Sequence, residues 1–342
     1  MSLKIMMAGP GDMHLGINSR VRGEMRWWLN IARILSKDIN YEIGILGQAN
    51  KVYRDKDHRI YFFNIYDFVK NQQTELDILF TMDIPKDCGI EENWMSETIS
   101  KIKTKHIVYA PFFGSLDHQK CILKTVYPYF YRETDNKKTF CLPIPFGSTT
   151  ELNRNNFNKK NAIWFSKNSH ENPDYLLLSL KYAINTVKKS NGHLIIIDGH
   201  KLMEETYKDG NEAKGLLKEN KKYVWWNPEK EWLSYDKMKK ALDSSKFITG
   251  IHHPVCNPMS IEIVFHGGIP IIFQNQKELP PYDKAHIPFI DFNLLNFEEV
   301  YYYLEDPNYY ESFLEACKCT AVNYSDENFL REWNKFLEII DE

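Results

Sequence analysis

The segment Asn257–Phe273 (NPMSIEIVFHGGIPIIF) carries the most informative chemistry of the sequence. Its pattern predicts a short helix over Pro258–His266, a glycine stop at Gly267-Gly268, and a buried strand over Ile269–Phe273. A carboxylate near the start of that helix, Glu262, can accept paired hydrogen bonds from the two hydroxyls of a ribose. The glycines let the backbone approach a ligand closely, and a helix N-terminus suits a phosphate. The segment therefore indicates a nucleotide site.

The spacing of Glu262, Gly267 and Pro270, E-x4-G-x-x-P followed by apolar residues, resembles the C-terminal motif of GT-B glycosyltransferases. It is similar to the motif of family-4-type retaining enzymes, whose common form is one residue shorter. The longer form resembles exostosin-type enzymes and the phage DNA α-glucosyltransferase. The resemblance implies that Glu262 binds the nucleotide ribose and that Gly267 and Gly268 belong to the donor site. The alternative is an ordinary helix on which Glu262 is only an N-terminal charge.

A second part of this donor site is expected after the predicted strand Ala162–Phe165. Family-4-type enzymes place an arginine here and a lysine five residues later, and the two hold the diphosphate. Ser166 and Lys167 occupy this loop, with Lys167 at the arginine position, but the residue five further on is Asn172. The resemblance makes Lys167 a candidate catalytic cation for the leaving diphosphate. A solvated loop lysine is the alternative.

Two adjacent histidines, His252 and His253, follow the predicted strand Lys246–Ile251 and are further candidates for donor binding. Neighbouring side chains of an extended segment point in opposite directions, which makes the two a poor chelating pair. The short pattern Asp55-Lys56-Asp57 resembles a metal-binding D-x-D, but it precedes a strand instead of ending one. We expect no metal and no obligatory cofactor, only a nucleoside-diphosphate sugar as donor substrate.

The first half of the chain has its own glycine-rich loop, Gly9 to Gly16, between a predicted strand and helix. It is neither G-x-G-x-x-G nor a P-loop. In GT-B folds this loop faces the cleft, so Asp12 and His14 are candidate catalytic residues that contact the sugar or the acceptor. A purely structural turn is the alternative. The remaining acceptor-side candidates are Gly11, Arg20, Asp117 and His118.

Strands and amphipathic helices alternate twice along the chain, on either side of the Asn- and Lys-rich segment Asn153–Asn161. This pattern predicts the α/β class, with two Rossmann-like doubly wound domains that face a cleft. The predicted domains are an acceptor domain over 1–155, a nucleotide-sugar domain over 156–325, and a C-terminal helix over 326–342. We expect that helix to pack back toward the N-terminal domain.

The composition of the chain bears on its partners and on its cellular compartment. A net charge of −3, from 43 basic and 46 acidic residues, does not favour nucleic acid as a partner. The scattered cysteines contain no C-x-x-C pair and indicate reduced thiols in a cytoplasmic protein. No apolar run reaches the roughly 20 residues of a membrane span, which leaves peripheral membrane contact as an open alternative.

Together these features predict a glycosyltransferase that moves a hexosyl group from a nucleoside-diphosphate sugar, such as a UDP-sugar, to an acceptor hydroxyl. The family-4-like motif implies a retaining, metal-independent reaction in polysaccharide or glycoconjugate synthesis, on a saccharide or lipid-linked acceptor. One alternative is a DNA-base glycosyltransferase of phage type. The others are a nucleotide-sugar 2-epimerase and an inactive sugar-nucleotide-binding protein of the same fold.

Overall fold

The computed structural model describes residues 2–9, 23–47, 53–55, 59–82, 96–110, 124–127, 139–165, 173–197, 210–224, 235–251, 258–272 and 297–340. The chain divides into two compact units, Met1–Pro145 with Asp326–Glu342, and Phe146–Ser325. Each unit contains one predominantly parallel sheet, and this confirms the predicted α/β class. Residues 146–155, which were predicted to end the first domain, group with the second unit.

The sheet of the first unit has eight described strands in the order β3-β4-β2-β1-β5-β6-β7-β8. Their bounds are β1 (Leu3–Ala8), β2 (Tyr41–Gly47), β3 (Tyr53–Asp55), β4 (Ile60–Asn64), β5 (Leu76–Thr81), β6 (Thr104–Tyr109), β7 (Lys124–Tyr127) and β8 (Thr139–Cys141). All pairs are parallel except β3 with β4. The strand order reverses between β1 and β5, and open α/β sheets bind ligands at the carboxyl edge of such a reversal.

Three described helices of this unit precede the second sheet, α1 (Gly23–Leu35), α2 (Ile65–Asn71) and α3 (Ser96–Ile99). For α1 the sequence predicts a helix from about Ser19 to Ser36 with one apolar face, made by Met25, Trp28, Leu29, Ala32 and Leu35. The structure buries residues outside this face as well. Trp27, outside that predicted face, is fully buried and stacks on Trp28 with ring centroids 4.6 Å apart. The Trp27 indole also donates to the Leu142 carbonyl at 3.2 Å. Because residues on more than one side of α1 are buried, this helix is held firmly within the first unit.

The second unit repeats the pattern with a smaller sheet in the order β10-β9-β11-β12. The strands are β9 (Asn161–Phe165), β10 (Leu194–Ile197), β11 (Ser245–Ile251) and β12 (Ile269–Ile272), all parallel. The helices are α4 (Pro173–Ser190), α5 (Gly210–Glu219), α6 (Tyr235–Ser244), α7 (Pro258–Phe265), α8 (Phe297–Glu305) and α9 (Pro307–Ala321). The crossovers through α4 and α7 run in opposite directions, so right-handed connections put these helices on opposite faces of the sheet.

One predicted strand of this unit, Tyr223–Trp226, is described only in its first half. Its first residue, Tyr223, closes a turn of 3₁₀ helix over Lys221–Tyr223 instead of starting a strand. Val224 makes a parallel bridge to Leu194 of β10, and Trp225 and Trp226 lie outside the described residues.

The last helix, α10 (Asp326–Ile340), belongs to the first unit, which confirms that the C-terminal helix packs on the N-terminal domain. Its buried face carries Phe329, Trp333, Phe336 and Ile340. Among the described helices, none is long and apolar enough to cross a membrane.

Candidate functional site

The candidate site begins with Glu262, which lies in the second turn of α7. Every residue of this helix is buried, and Glu262 itself is only 4% exposed. A glutamate that merely complements the helix dipole belongs in the first turn at the surface, whereas the first turn of α7 contains no acidic residue. Removing a carboxylate from water is costly, so a buried glutamate is held by specific interactions, as Glu262 is within the protein. Its burial in the second turn of α7 therefore separates Glu262 from a simple helix charge at the surface.

The topology places α7 beside the strand-order reversal of the second sheet. From β9 the chain moves to β10 on one side, and β11 lies on the other side of β9, followed by β12. Because α7 runs from the carboxyl end of β11 to the amino end of β12, its N-terminus lies toward the carboxyl edge. Helical side chains tilt toward the N-terminus, so the Glu262 carboxylate leans toward that edge. It lies about one turn, roughly 5 Å, from the helix start.

A bulge at the end of β11 is a feature of this edge that the sequence pattern missed. The register with β12 shifts between Ile248 and Ile251, and Gly250 has a φ of 85°. Thr249 is fully buried, and its hydroxyl has no hydrogen-bond partner in the described part of the chain. Bulges often re-aim side chains beside active sites. A glycine within a β-branched run is the signal that would have predicted it.

Ser260, which the sequence pattern did not single out, is fully buried in the first turn of α7. Ser260 and Glu262 are both polar, and the other residues of this helix are apolar. The two buried polar side chains therefore make the N-terminal part of α7 more polar than its C-terminal part.

Gly267 and Gly268 terminate α7. The Gly268 N–H donates to the Ile263 carbonyl and the Gly267 N–H donates to the Val264 carbonyl, each at 2.9 Å. With Gly267 at a φ of 72°, this is a Schellman motif. Both glycines are buried within the protein at the amino edge of β12, away from the carboxyl edge that binds ligands. These contacts assign both glycines to helix termination, while their role in donor binding stays a prediction.

Polar groups pack around this glycine pair and hold it in place. The buried Tyr310 hydroxyl donates to the Gly267 carbonyl at 2.7 Å. His266 Nδ1 lies 2.6 Å from Asp243 Oδ1, and the Lys159 ammonium donates to the His266 carbonyl at 3.3 Å. Burial lowers the pKa of Lys159 to about 8, against the opposing effect of Asp243. These contacts anchor the segment before β9 to the end of α7, so they serve the scaffold of the site.

Replacing Gly267 with alanine tests this assignment. We expect Gly267→Ala to destabilise the protein by about 1–3 kcal/mol, because alanine resists a positive φ. The added Cβ would also lie 2.7 Å from Asn156 Nδ2 and 2.8 Å from the Arg154 carbonyl. The free energy of unfolding in urea measures the effect.

Gly215 in α5 is the matched control, since a Cβ there meets nothing within 4 Å. Gly215→Ala should stabilise the protein by about 0.5–1 kcal/mol through helix propensity. If Gly267→Ala had no greater effect on stability than this control, with nucleotide binding lost instead, Gly267 would be a ligand contact.

All of the other predicted site residues lie outside the described residues. They are Gly11, Asp12, His14, Arg20, Asp117, His118, Ser166, Lys167, His252 and His253. In sequence, Ser166 and Lys167 are the first two residues after β9 and His252 is the first after β11, and these are the two central strands of the sheet. The described part of the chain contains no group of three or more His, Cys, Asp or Glu side chains arranged for a metal ion.

Comparison with solved structures extends over nearly the whole chain. Sucrose-phosphate synthase from Thermosynechococcus elongatus matches with a TM-score of 0.56 and 11% identity, over 98% of this chain and 98% of that chain. An E. coli trehalose-6-phosphate protein bound with UDP-2-fluoro glucose matches with a TM-score of 0.54 and 10% identity, over 98% and 99% of the two chains. WaaG, a glycosyltransferase involved in lipopolysaccharide biosynthesis, matches with a TM-score of 0.50 and 10% identity, over 93% and 95%.

No protein-family model and no curated protein sequence matches the chain. At identities of 10–11% the structural likeness concerns the fold. The two units, their parallel sheets and the helix that returns to the first unit together form the fold of GT-B glycosyltransferases.

Proposed function

We propose that this chain is a glycosyltransferase that moves a sugar from a nucleoside-diphosphate sugar to an acceptor hydroxyl. The observation that carries the proposal is Glu262, which is 4% exposed within a helix that starts at the carboxyl edge of the central strand β11. A carboxylate beside the carboxyl edge of the sheet can accept hydrogen bonds from the paired hydroxyls of a ribose. The GT-B fold supplies the class of ligand, since one structural neighbour is bound with UDP-2-fluoro glucose.

In the proposed reaction, the bond between the sugar C1 and the diphosphate oxygen breaks, and the diphosphate leaves with the electron pair. A bond then joins C1 to the acceptor oxygen, and the proton of the acceptor hydroxyl passes to an oxygen of the departing diphosphate. Glu262 anchors the nucleotide, while Lys167 and the N-terminus of α7 stabilise the charge of the leaving diphosphate. Asp12 and His14 remain predicted contacts of the sugar or the acceptor. A retaining outcome, a hexosyl group and independence from metal ions follow from the sequence resemblance alone.

Nucleotide release from a panel of UDP-, GDP- and ADP-sugars tests this function. We expect slow hydrolysis without acceptor, giving free sugar and nucleoside diphosphate, with a UDP-sugar as the first candidate. An equal rate of donor hydrolysis in the presence of EDTA would support a metal-independent reaction. The products separate the alternatives, because an epimerised sugar nucleotide without free diphosphate indicates the 2-epimerase. Nucleotide-sugar binding without turnover, even with an acceptor panel of oligosaccharides and glucosylatable DNA, would contradict the transferase and favour the inactive binding protein.

A further inference from the structure

The corner between α8 and α9 carries a group of aromatic side chains, here called the tyrosine patch, in which Tyr302 and Tyr309 are exposed and Tyr303 and Phe313 are half-buried. Tyr302 is 59% exposed and Tyr309 is 46% exposed, and their ring centroids lie 6.1 Å apart. Tyr303 joins them at 4.7 Å from Tyr309 and 5.9 Å from Phe313. Large aromatic side chains grouped at a surface mark an interaction site more often than scattered ones do.

The helices beneath the tyrosine patch are supported independently of the exposed rings. Asp306 caps α9 by accepting from the backbone N–H groups of Asn308 and Tyr309. The side of α9 opposite the patch is buried through Tyr310 and Leu314. The core beneath α9 is therefore completed without Tyr302 and Tyr309, whose side chains remain exposed in the described part of the chain.

The acidic residues around the tyrosine patch disfavour anionic ligands. The segment Phe297–Ala321 contains six acidic residues and one basic residue, Lys318. Glu299 and Glu305 are exposed three residues before and after Tyr302, so they lie on the same helix face. This charge repels nucleic acid, anionic lipid headgroups and a second copy of the same patch.

The packing of the rings excludes a further class of ligand, ammonium groups. The rings meet edge to face, with interplanar angles of 59–70°. Rings packed against each other in this way do not enclose an ammonium group as an aromatic cage does. What remains is a platform of aromatic faces, tyrosine hydroxyls and carboxylates. Such a platform suits a neutral saccharide, whose C–H faces pack on the rings and whose hydroxyls donate to carboxylates.

We propose that the tyrosine patch binds a neutral polysaccharide or oligosaccharide, as an anchor for the acceptor chain distinct from the donor site around Glu262. The identity of the ligand as a saccharide rests on the proposed function, whereas the location rests on the exposed rings and the acidic surroundings. An anchor outside the reacting site raises the local concentration of acceptor ends without contacting the reacting atoms.

Direct binding of neutral oligosaccharides tests the proposal, with maltoheptaose, cellohexaose and chitohexaose as probes in isothermal titration calorimetry or NMR. We expect at least one to bind, and binding should persist in 0.5 M salt, on the order of the ionic strength that screens charge attraction. The double variant Tyr302→Ala/Tyr309→Ala should weaken that binding by about tenfold or more. The matched control is Tyr66→Ala on α2, which removes a 48% exposed tyrosine from the other unit and should leave binding unchanged.

Three results would overturn the proposal. One is the failure of all three oligosaccharides to bind, and another is equal binding by the double variant with unchanged thermal unfolding. The third is salt-sensitive binding of a poly-lysine peptide in place of the saccharides. Donor hydrolysis by the double variant should equal that of the unaltered protein. If the protein bound saccharides but hydrolysed no donor, the saccharide site would be supported and the proposed transferase activity refuted. If it hydrolysed a donor but bound no saccharide, only the saccharide site would be refuted.

Discussion

The substitution Glu262→Gln should weaken the binding of UDP and UDP-sugars by about 10- to 100-fold, or roughly 1.5–3 kcal/mol. Glutamine keeps the shape of the buried side chain but removes the charge and one acceptor for the ribose hydroxyls. Hydrogen bonds to a charged acceptor are stronger than neutral ones, so the affinity must fall if the carboxylate holds the ribose. Titration of UDP, followed by calorimetry, measures the change.

A carboxylate at the opposite edge of the same unit provides the control for Glu262. Asp243 lies in the last turn of α6, close to the amino end of β11 and beside His266. Because Asp243 contacts His266 and lies away from Glu262, Asp243→Asn should change the free energy of unfolding and leave the affinity for UDP unchanged. Glu262→Ala, which also removes the side-chain packing, should lower affinity by about 1–3 kcal/mol. Unchanged UDP affinity in folded Glu262→Gln and Glu262→Ala proteins would refute the assignment of Glu262 to the donor site.

The substitution Trp333→Ala should reduce the free energy of unfolding of the first unit by about 3–5 kcal/mol. Trp333 is 1% exposed on α10, and its indole donates to the Tyr41 hydroxyl at 3.2 Å. Its ring lies 6.0 Å from that of Phe80 on β5 and 5.7 Å from that of Phe336. Alanine leaves a large cavity between α10 and the sheet, and so it loosens the contact that joins the C-terminal helix to the first unit.

Circular dichroism through a urea titration measures this loss without relying on tryptophan fluorescence. Leu330→Ala is the control on the same helix, because Leu330 is 40% exposed and its removal should cost less than about 1 kcal/mol. Trp333→Phe retains most of the packing, so its loss of unfolding free energy should lie between those of Trp333→Ala and Leu330→Ala. If Trp333→Ala cost no more than Leu330→Ala, α10 would not be a structural part of the first unit.

Much of the fold follows from patterns that are local in the sequence. The period of apolar residues predicts α6 over Tyr235–Ser244, the bounds that the structure has, and places the start of α4 at Pro173. These helices are predictable because a stripe of apolar residues on one side identifies both the helix and its buried face. The E-x4-G-x-x-P spacing likewise predicts the succession of helix, stop and strand around α7, since glycine in a left-handed conformation ends helices.

The same patterns predict less well where several elements pack on one another. The period on α1 identifies the face with Trp28 but not the burial of Trp27, because burial depends on what covers the other sides of the helix. Tyr223 resembles the start of a strand, but it closes a 3₁₀ turn, and the bridge from Val224 to β10 joins residues that are distant in sequence. The bulge at Gly250 is a matter of register between β11 and β12, which a single strand does not contain.

The sequence by itself determined the α/β class, the two successive sheets and Glu262 as the residue most worth testing, because residue spacing and hydrophobic period act within one element. Only the tertiary structure decided that Glu262 is buried at a strand-order reversal and that Gly267 and Gly268 cap a helix at the opposite edge. The physical reason is that a glycine that admits a ligand and a glycine that ends a helix share the same local freedom. Their surroundings distinguish them, and for Gly267 these are Asn156, Arg154 and Tyr310, from segments distant in sequence.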